Sequence, residues 1–199
     1  ITSLSLLAMH GGTYLQMRTE GPLRRRAVGA SRLMAVVMLV AFGAAGAWLA
    51  TGMEGLRITA MPPVTDSIQP LAKTVAIEEG AWLANYGRAP LTLLAPVAVI
   101  LLSGVGLGAA AFGASTVAVL GVLLTAGISL FPFIMPSRID PASSLTVWDA
   151  TSSHRTLSIM LIATVIFMPV ILAYTFWAFR VMRGRVTEAQ VEENSHSLY

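Results

Sequence analysis

The stretch APLTLLAPVAVILLSGVGLGAAAFGASTVAVLGVLLTAGISLFPFIMPS runs from Ala89 to Ser137. It contains no charged side chain in 49 residues, and this length determines the fold class that we predict. An α-helix rises about 1.5 Å per residue, so roughly 20 apolar residues cross a hydrocarbon core about 30 Å thick. The run is long enough for two crossings, and the glycines between Gly104 and Gly113 permit a turn between them. We therefore predict helices over 91–107 and 115–134.

Three further apolar segments extend this pattern on both sides. Thr156 to Phe179 is uncharged over 24 residues and contains Pro169, which we expect to kink its helix. Leu33 to Met53 is uncharged over 21 residues, and a shorter segment at 4–17 contains His10. The fold class that we predict is all-α, a polytopic transmembrane helical bundle of about five membrane-spanning helices, at 4–17, 33–53, 91–107, 115–134 and 156–179. Small residues in these helices favour close helix contacts, among them Gly43, Gly46, Gly121 and Gly127.

The composition excludes a soluble enzyme and a nucleic-acid-binding module. Of the 199 residues, 55% are hydrophobic and only 12% are charged, and the mean hydropathy is +0.73. The absence of cysteine rules out disulfides, thiolate metal sites and cysteine nucleophiles. The chain enters an apolar segment at Ile1 without the charged region of a signal peptide, and we interpret 1–199 as the C-terminal part of one transmembrane domain in a longer chain.

The distribution of arginine predicts the orientation. The stretch 18–32 contains five arginines against one acidic residue, and three arginines follow the last apolar segment at 180–185. The positive-inside rule places both basic stretches in the cytoplasm. We therefore expect a cytoplasmic loop at 18–32, external loops at 54–88 and 137–155, and a cytoplasmic tail at 180–199.

Within the first external loop, aromatic and acidic residues over 73–86 permit a short amphipathic helix at the membrane interface. The triplet Arg24-Arg25-Arg26 determines topology in this interpretation, and binding of anionic lipid is the alternative.

Polar residues within the predicted spans are few. Of the three histidines, at 10, 154 and 196, only His10 lies inside a span, so no two of them can ligate one haem. We interpret His10 as a hydrogen-bonded interior residue that binds no metal, with a proton path or a quinone contact as the alternative. The other four spans contain no Asp, Glu, Lys or Arg, which argues against a proton pump or an ion-coupled transporter.

The predicted loop before the last span carries the remaining candidate residues. Trp148 suits the membrane interface, and Ser152 with Ser153 suits the N-terminal cap of the last helix. Asp149 can pair with Arg138, with Arg155 or with a cation of a partner. Because capping and anchoring explain these residues, we expect a structural or interface role for them and predict no catalytic or metal-binding residue in this chain.

Several short motifs together resemble one family. They are FPFIMP at 131–136, LTVWDATSS at 145–153, Pro169 followed by Ala173-Tyr174, NSHSLY at 194–199 and YLQMRTEG at 14–21. In this order and spacing, across nearly all of the chain, they resemble the later half of subunit II of cytochrome bd ubiquinol oxidase.

The resemblance implies a membrane complex that oxidises quinol and reduces dioxygen to water. It places haems b and d in the partner, subunit I, and it implies that this chain binds no haem and supports assembly, with a structural quinone in some members. The expected partners are subunit I, small accessory membrane subunits, quinol and lipid, and no nucleic acid. The expected location is the bacterial inner membrane, as a multi-pass protein with a cytoplasmic C-terminus. The rival interpretation is half of a polytopic transporter or channel without redox chemistry.

Overall fold

A computed structural model describes residues 1–63, 72–103, 108–181, 183–184, 187 and 189. The chain is mostly helical, and two short antiparallel strand pairs accompany the helices. The helices are α1 (Thr2–Arg18), α2 (Gly21–Thr51), α3 (Ala84–Arg88), α4 (Leu94–Ser103), α5 (Gly108–Leu130) and α6 (His154–Val181). The strands are β1 (Glu54–Ala60), β2 (Thr74–Glu79), β3 (Phe133–Met135) and β4 (Leu145–Thr146), and single 3₁₀ turns lie at Ala81–Leu83, Pro90–Leu93 and Pro141–Ser143.

The chain divides into two compact units. The first comprises the described residues of 1–53, 82–129 and 184–199, and the second comprises those of 54–81 and 130–183. The first unit therefore contains α1 to α5, whereas the second contains all four strands and α6.

In the first unit, α1 and α2 pack together as a helical hairpin. Gly21 opens α2 with a φ of 62°, a conformation that glycine adopts without strain, and Pro22 follows in the first turn. A Cβ on Gly12 would lie 2.8 Å from the Cβ of Ser31, so the absence of a side chain lets the two helices approach closely. Large side chains from both helices, Met9 and Met38, are almost fully buried here. The core continues with Leu6, Ala35, Val99 and Ala118.

A second close approach joins α4 and α5. A Cβ on Gly121 would lie 2.8 Å from Cγ2 of Val99 and 2.9 Å from the backbone oxygen of Ala95. The expectation that small residues make close contacts is therefore met at Gly121. Nothing lies within 4 Å of a Cβ built on Gly43, Gly46 or Gly127, so these glycines serve no helix contact within the described chain.

In the second unit, β1 and β2 pair where the sequence had indicated an amphipathic helix. The cross-strand partners include Leu56 with Ile77 and Ile58 with Val75, and the exposed ion pair between Arg57 and Glu78 spans 3.1 Å across the same ladder. The expected helix over 73–86 is wrong at 74–79, because β-branched residues pair better across an antiparallel ladder than they pack on a helix.

The number of membrane-spanning helices is smaller than predicted. Among the described residues, α2, α5 and α6 are long and apolar enough to cross a membrane. A fourth span results only if Ala81–Arg88 and Pro90–Ser103 are counted together, and these two segments are bent by 114°. The count of about five is therefore not supported. The 17 residues of α1 fall short of the roughly 20 that a crossing needs.

The helix bounds also differ from those predicted. The expected loop at 18–32 is helical from Gly21 onward, because Arg and Ala favour helix and α2 continues without a break into 33–53. The helix predicted over 115–134 begins seven residues earlier, at Gly108, and ends at Leu130, before Pro132 and β3. The span 156–179 widens to His154–Val181 with Pro169 inside it. Of the predicted span 91–107, residues 104–107 lie outside the described residues, as do all of 190–199.

Candidate functional site

The first candidate site is a hydrogen-bonded cluster of His10, Thr13 and Ser115 in the first unit. The ring nitrogen Nδ1 of His10 lies 2.8 Å from Oγ of Ser115, and Oγ1 of Thr13 lies 2.9 Å from the same Oγ. Because residues three apart share one face of a helix, α1 presents His10 and Thr13 together to Ser115 of α5. The hydroxyl of Thr13 also donates to the backbone oxygen of His10, at 2.7 Å.

Aromatic rings hold the imidazole of His10 in place. Its ring stacks on Phe112, with 4.8 Å between the ring centroids and 22° between the ring planes. Tyr14 lies against the same phenyl ring at 5.7 Å. His10 is half-buried, whereas Thr13 and Ser115 are buried. The imidazole is therefore packed and hydrogen-bonded.

The polar face of α1 continues to Gln16, which sequence reasoning missed. Its Nε2 donates to Oγ of Ser31 at 2.5 Å, and its backbone oxygen accepts from Nε of Arg24 at 3.3 Å. Gln16 is buried, and its Oε1 has no hydrogen-bond partner among the described residues. The spacing of three residues between His10, Thr13 and Gln16 is the sequence signal that could have revealed one continuous polar face.

The second candidate site is a buried ion pair between Lys73 and Asp149 in the second unit. Oδ2 of Asp149 accepts a hydrogen bond from Nζ of Lys73. Oδ1 accepts from the backbone N–H of Thr146 and, at 2.9 Å, from its hydroxyl. The side chains of Lys73 and Asp149 are 1% and 0% exposed. Every oxygen of the carboxylate is thus satisfied, which a buried charge requires.

Two opposing effects set the pKa of Asp149. Burial disfavours the charged carboxylate and raises the pKa. The hydrogen bond from Lys73, the two from Thr146 and the positive charge of Lys73 lower it, and together they prevail. The pKa of Asp149 therefore lies below its ordinary value, and the carboxylate is ionised at neutral pH.

The pairing of Asp149 differs from the one that the sequence suggested. We had expected Arg138, Arg155 or a cation of a partner, but both arginines are exposed and the cation is Lys73. Lys73 precedes β2, and 76 positions separate it from Asp149, so no local spacing indicates the pair. The ion pair joins the segment before β2 to the turn that leads towards α6.

The remaining predicted residues, Trp148, Ser153 and Pro169, also lie in the second unit. Trp148 is 36% exposed and meets Phe131 edge to face, with 6.0 Å between the ring centroids. Ser153 caps α6, because its hydroxyl accepts from the backbone N–H of Thr156 at 3.4 Å. Pro169 lies exposed inside α6.

The side chains of the two sites limit the chemistry that each can perform. One imidazole and two hydroxyls can accept, donate or pass on a proton, and the ion pair can fix a loop. The described part of each unit holds a single histidine, His10 in the first and His154 in the second, so neither supplies a histidine pair to a haem. No group of three or more His, Cys, Asp or Glu side chains comes together in the described residues to hold a metal ion.

Comparison with known proteins identifies similar chains. The sequence model of a family described as cytochrome bd terminal oxidase subunit II matches residues 1–182. "Cytochrome bd-I ubiquinol oxidase subunit 2" of Escherichia coli (strain K12) is 39% identical over 206 aligned positions, which cover 100% of this chain and 54% of that protein. "Probable cytochrome oxidase subunit 2" of Haemophilus influenzae is 38% identical over the same shares. "Cytochrome bd ubiquinol oxidase subunit 2" of Bacillus subtilis is 37% identical over 73 positions, which cover 35% of this chain. The chain spans about half the length of the first two relatives.

Proposed function

Because the chain belongs to the family of cytochrome bd terminal oxidase subunit II, we propose that it is a membrane subunit of a complex that oxidises quinol and reduces dioxygen to water. The observation that carries this proposal is the match of the whole chain to the Escherichia coli relative at 39% identity. Family and apolar helices together support a multi-pass protein of the bacterial inner membrane.

The role of this chain within the complex is assembly of the haem-bearing partner, subunit I. Haems b and d reside in that partner, and this chain supplies helix faces for its binding. Two features support this part of the proposal. No residue in the apolar window of α6 is buried within the described chain, and large side chains such as Phe167 and Trp177 are 62% and 60% exposed there. Such surfaces need lipid or another subunit around them.

The buried pair of Lys73 and Asp149 serves this role by fixing the segment that leads into α6. A fixed entry sets the position of the helix that meets the partner, so the pair acts on assembly rather than on turnover. With the bent pair of Ala81–Arg88 and Pro90–Ser103 as a fourth span, the basic start of α2 and the arginines at 180–185 lie in the cytoplasm, and both strand pairs lie outside. Quinol, small accessory subunits and a structural quinone belong to the complex as a whole.

The experiment purifies the native complex through a tag on this chain and records its reduced-minus-oxidised spectrum. We expect haem d absorbance and quinol-dependent oxygen consumption in the purified sample. Membranes of cells that lack this chain, recorded without purification, should lose both signals because subunit I fails to assemble. A haem-free preparation of the tagged complex would overturn the proposal and favour a transporter or channel.

A further inference from the structure

One face of α2 carries two arginines followed by an apolar strip. Arg25, Gly29, Arg32, Val36 and Val40 are spaced by three or four residues, so they lie along one side of the helix. All five are exposed in the described chain. Leu33 borders the same face. The exposed fractions of the three large apolar side chains are 60% for Leu33, 58% for Val36 and 67% for Val40.

This face of α2 carries positive charge. The stretch 18–32 contains five arginines and one acidic residue. Two of the arginines donate hydrogen bonds to backbone oxygens, Arg18 to that of Gly184 at 3.2 Å and Arg24 to that of Gln16 at 3.3 Å. Within the described residues, Arg25 and Arg32 form neither a hydrogen bond nor an ion pair. Their guanidinium groups are therefore available to an anion.

The space between the two arginines is open. Gly29 lies about one helical turn after Arg25 and about one turn before Arg32. Nothing comes within 4 Å of a Cβ built on it. The backbone of α2 is consequently accessible between two positive charges. A tetrahedral anion can approach the helix here and meet both guanidinium groups.

We propose that this face of α2 binds an anionic phospholipid, with its phosphate held by Arg25 and Arg32 over Gly29 and an acyl chain along Leu33, Val36 and Val40. The planar guanidinium group donates two parallel hydrogen bonds to phosphate, and two such groups select an anionic over a zwitterionic headgroup. Arg32 directly precedes the 21 uncharged residues of 33–53, which places it at headgroup depth. Complementary charge at one end and continuous apolar surface at the other match both parts of a phospholipid.

The test measures lipid preference in the purified complex. Spin-labelled phosphatidylglycerol and phosphatidylcholine with the same acyl chains are added, and electron paramagnetic resonance gives the immobilised fraction of each. In Arg25→Gln/Arg32→Gln the preference for phosphatidylglycerol should fall by roughly tenfold or more, since each basic residue near an anionic headgroup contributes about a fivefold factor. The control variant Arg138→Gln/Arg155→Gln removes the same charge from exposed positions elsewhere and should retain the preference.

A second variant separates a built site from general attraction by charge. Gly29→Leu leaves the charge unchanged, improves helix propensity and fills the opening between the arginines. It should reduce phosphatidylglycerol retention several-fold. Unchanged preference in both the arginine and the glycine variants would overturn the proposal. Loss of subunit I instead of lipid would also overturn it, as would displacement of the lipid by inorganic phosphate alone. The haem d spectrum of the same samples tests the oxidase assignment separately.

Discussion

At the scale of single residues, Lys73 and Asp149 form a buried ion pair that depends on both partners. Two opposite charges with almost no exposure are stable only when each satisfies the other, because removing either leaves a charge in an apolar surrounding. The additional hydrogen bonds from Thr146 explain why the turn at 146–149 has one defined geometry.

Replacing Asp149 by Ala should destabilise the second unit by about 3–5 kcal/mol, since it leaves Lys73 buried without a partner. The yield of assembled complex should therefore fall, while oxidase activity per haem d stays near the wild-type value. The control is Lys73→Met/Asp149→Leu, which removes both charges together and should recover much of the yield. Unchanged yield with abolished activity per haem would show that Asp149 is catalytic.

The pH dependence of this pair has a defined sign. Because folding lowers the pKa of Asp149, its stabilising contribution is complete above the ordinary value of 3.8 and is lost as the pH falls through the lower pKa of the folded state. We expect the unfolding temperature of the wild type to fall relative to that of Lys73→Met/Asp149→Leu below pH 3.8, and the difference between the two to stay constant between pH 5 and 7. If the difference in unfolding temperature instead changed between pH 5 and 7, the lowered pKa of Asp149 would not be its cause.

His10 should act through packing and hydrogen bonds. Replacing Ser115 by Ala removes the partner of Nδ1 and the hydroxyl that Thr13 meets, which should cost about 1–3 kcal/mol of stability.

Replacing His10 by Ala should leave the haem spectrum of the assembled complex intact, because we predict that His10 ligates no metal. Loss of a haem signal from a fully assembled His10→Ala complex would refute this.

At the scale of helices and strands, close approach at glycine decides which helices pair. Gly121→Ala places a methyl group 2.8 Å from Val99 and 2.9 Å from the backbone oxygen of Ala95, and a backbone atom cannot move aside easily. We expect destabilisation of about 1–3 kcal/mol, measured as a lower unfolding temperature of the purified complex. The matched control is Gly127→Ala on the same helix, where nothing lies within 4 Å. It should be neutral or slightly stabilising, and equal effects of the two variants would contradict the contact.

The elements also show where sequence patterns were insufficient. The apolar runs predicted both ends of α6 to within two residues, because a long uncharged run permits little besides a membrane helix. For α5 the prediction of 115–134 placed the start seven residues too late and the end four residues too late. The strands were missed, since β1 and β2 become favourable only when Leu56 meets Ile77 and Ile58 meets Val75 across the ladder.

At the scale of the whole molecule, the arginine distribution predicts one orientation. These 199 residues contain no cysteine, so an introduced cysteine is the single labelling position among them. A cysteine at Gly29 should resist a membrane-impermeant maleimide in intact cells and react after the membrane is opened. A cysteine at Asp140 should react in intact cells. The reverse pattern would refute the orientation, and reaction at both positions would show that the basic stretch is not cytoplasmic.

The membrane-helical class follows from the amino-acid sequence alone, and so does the family, through motifs such as LTVWDATSS at 145–153. Both are carried by local properties, namely the length of uncharged runs and the order of short motifs. Only the tertiary structure decided that Asp149 pairs with Lys73, 76 positions away, and that His10 meets Ser115, 105 positions away. The physical reason is that a partner for a buried charge or polar group is set by which elements pack together, and packing joins residues that no local spacing relates.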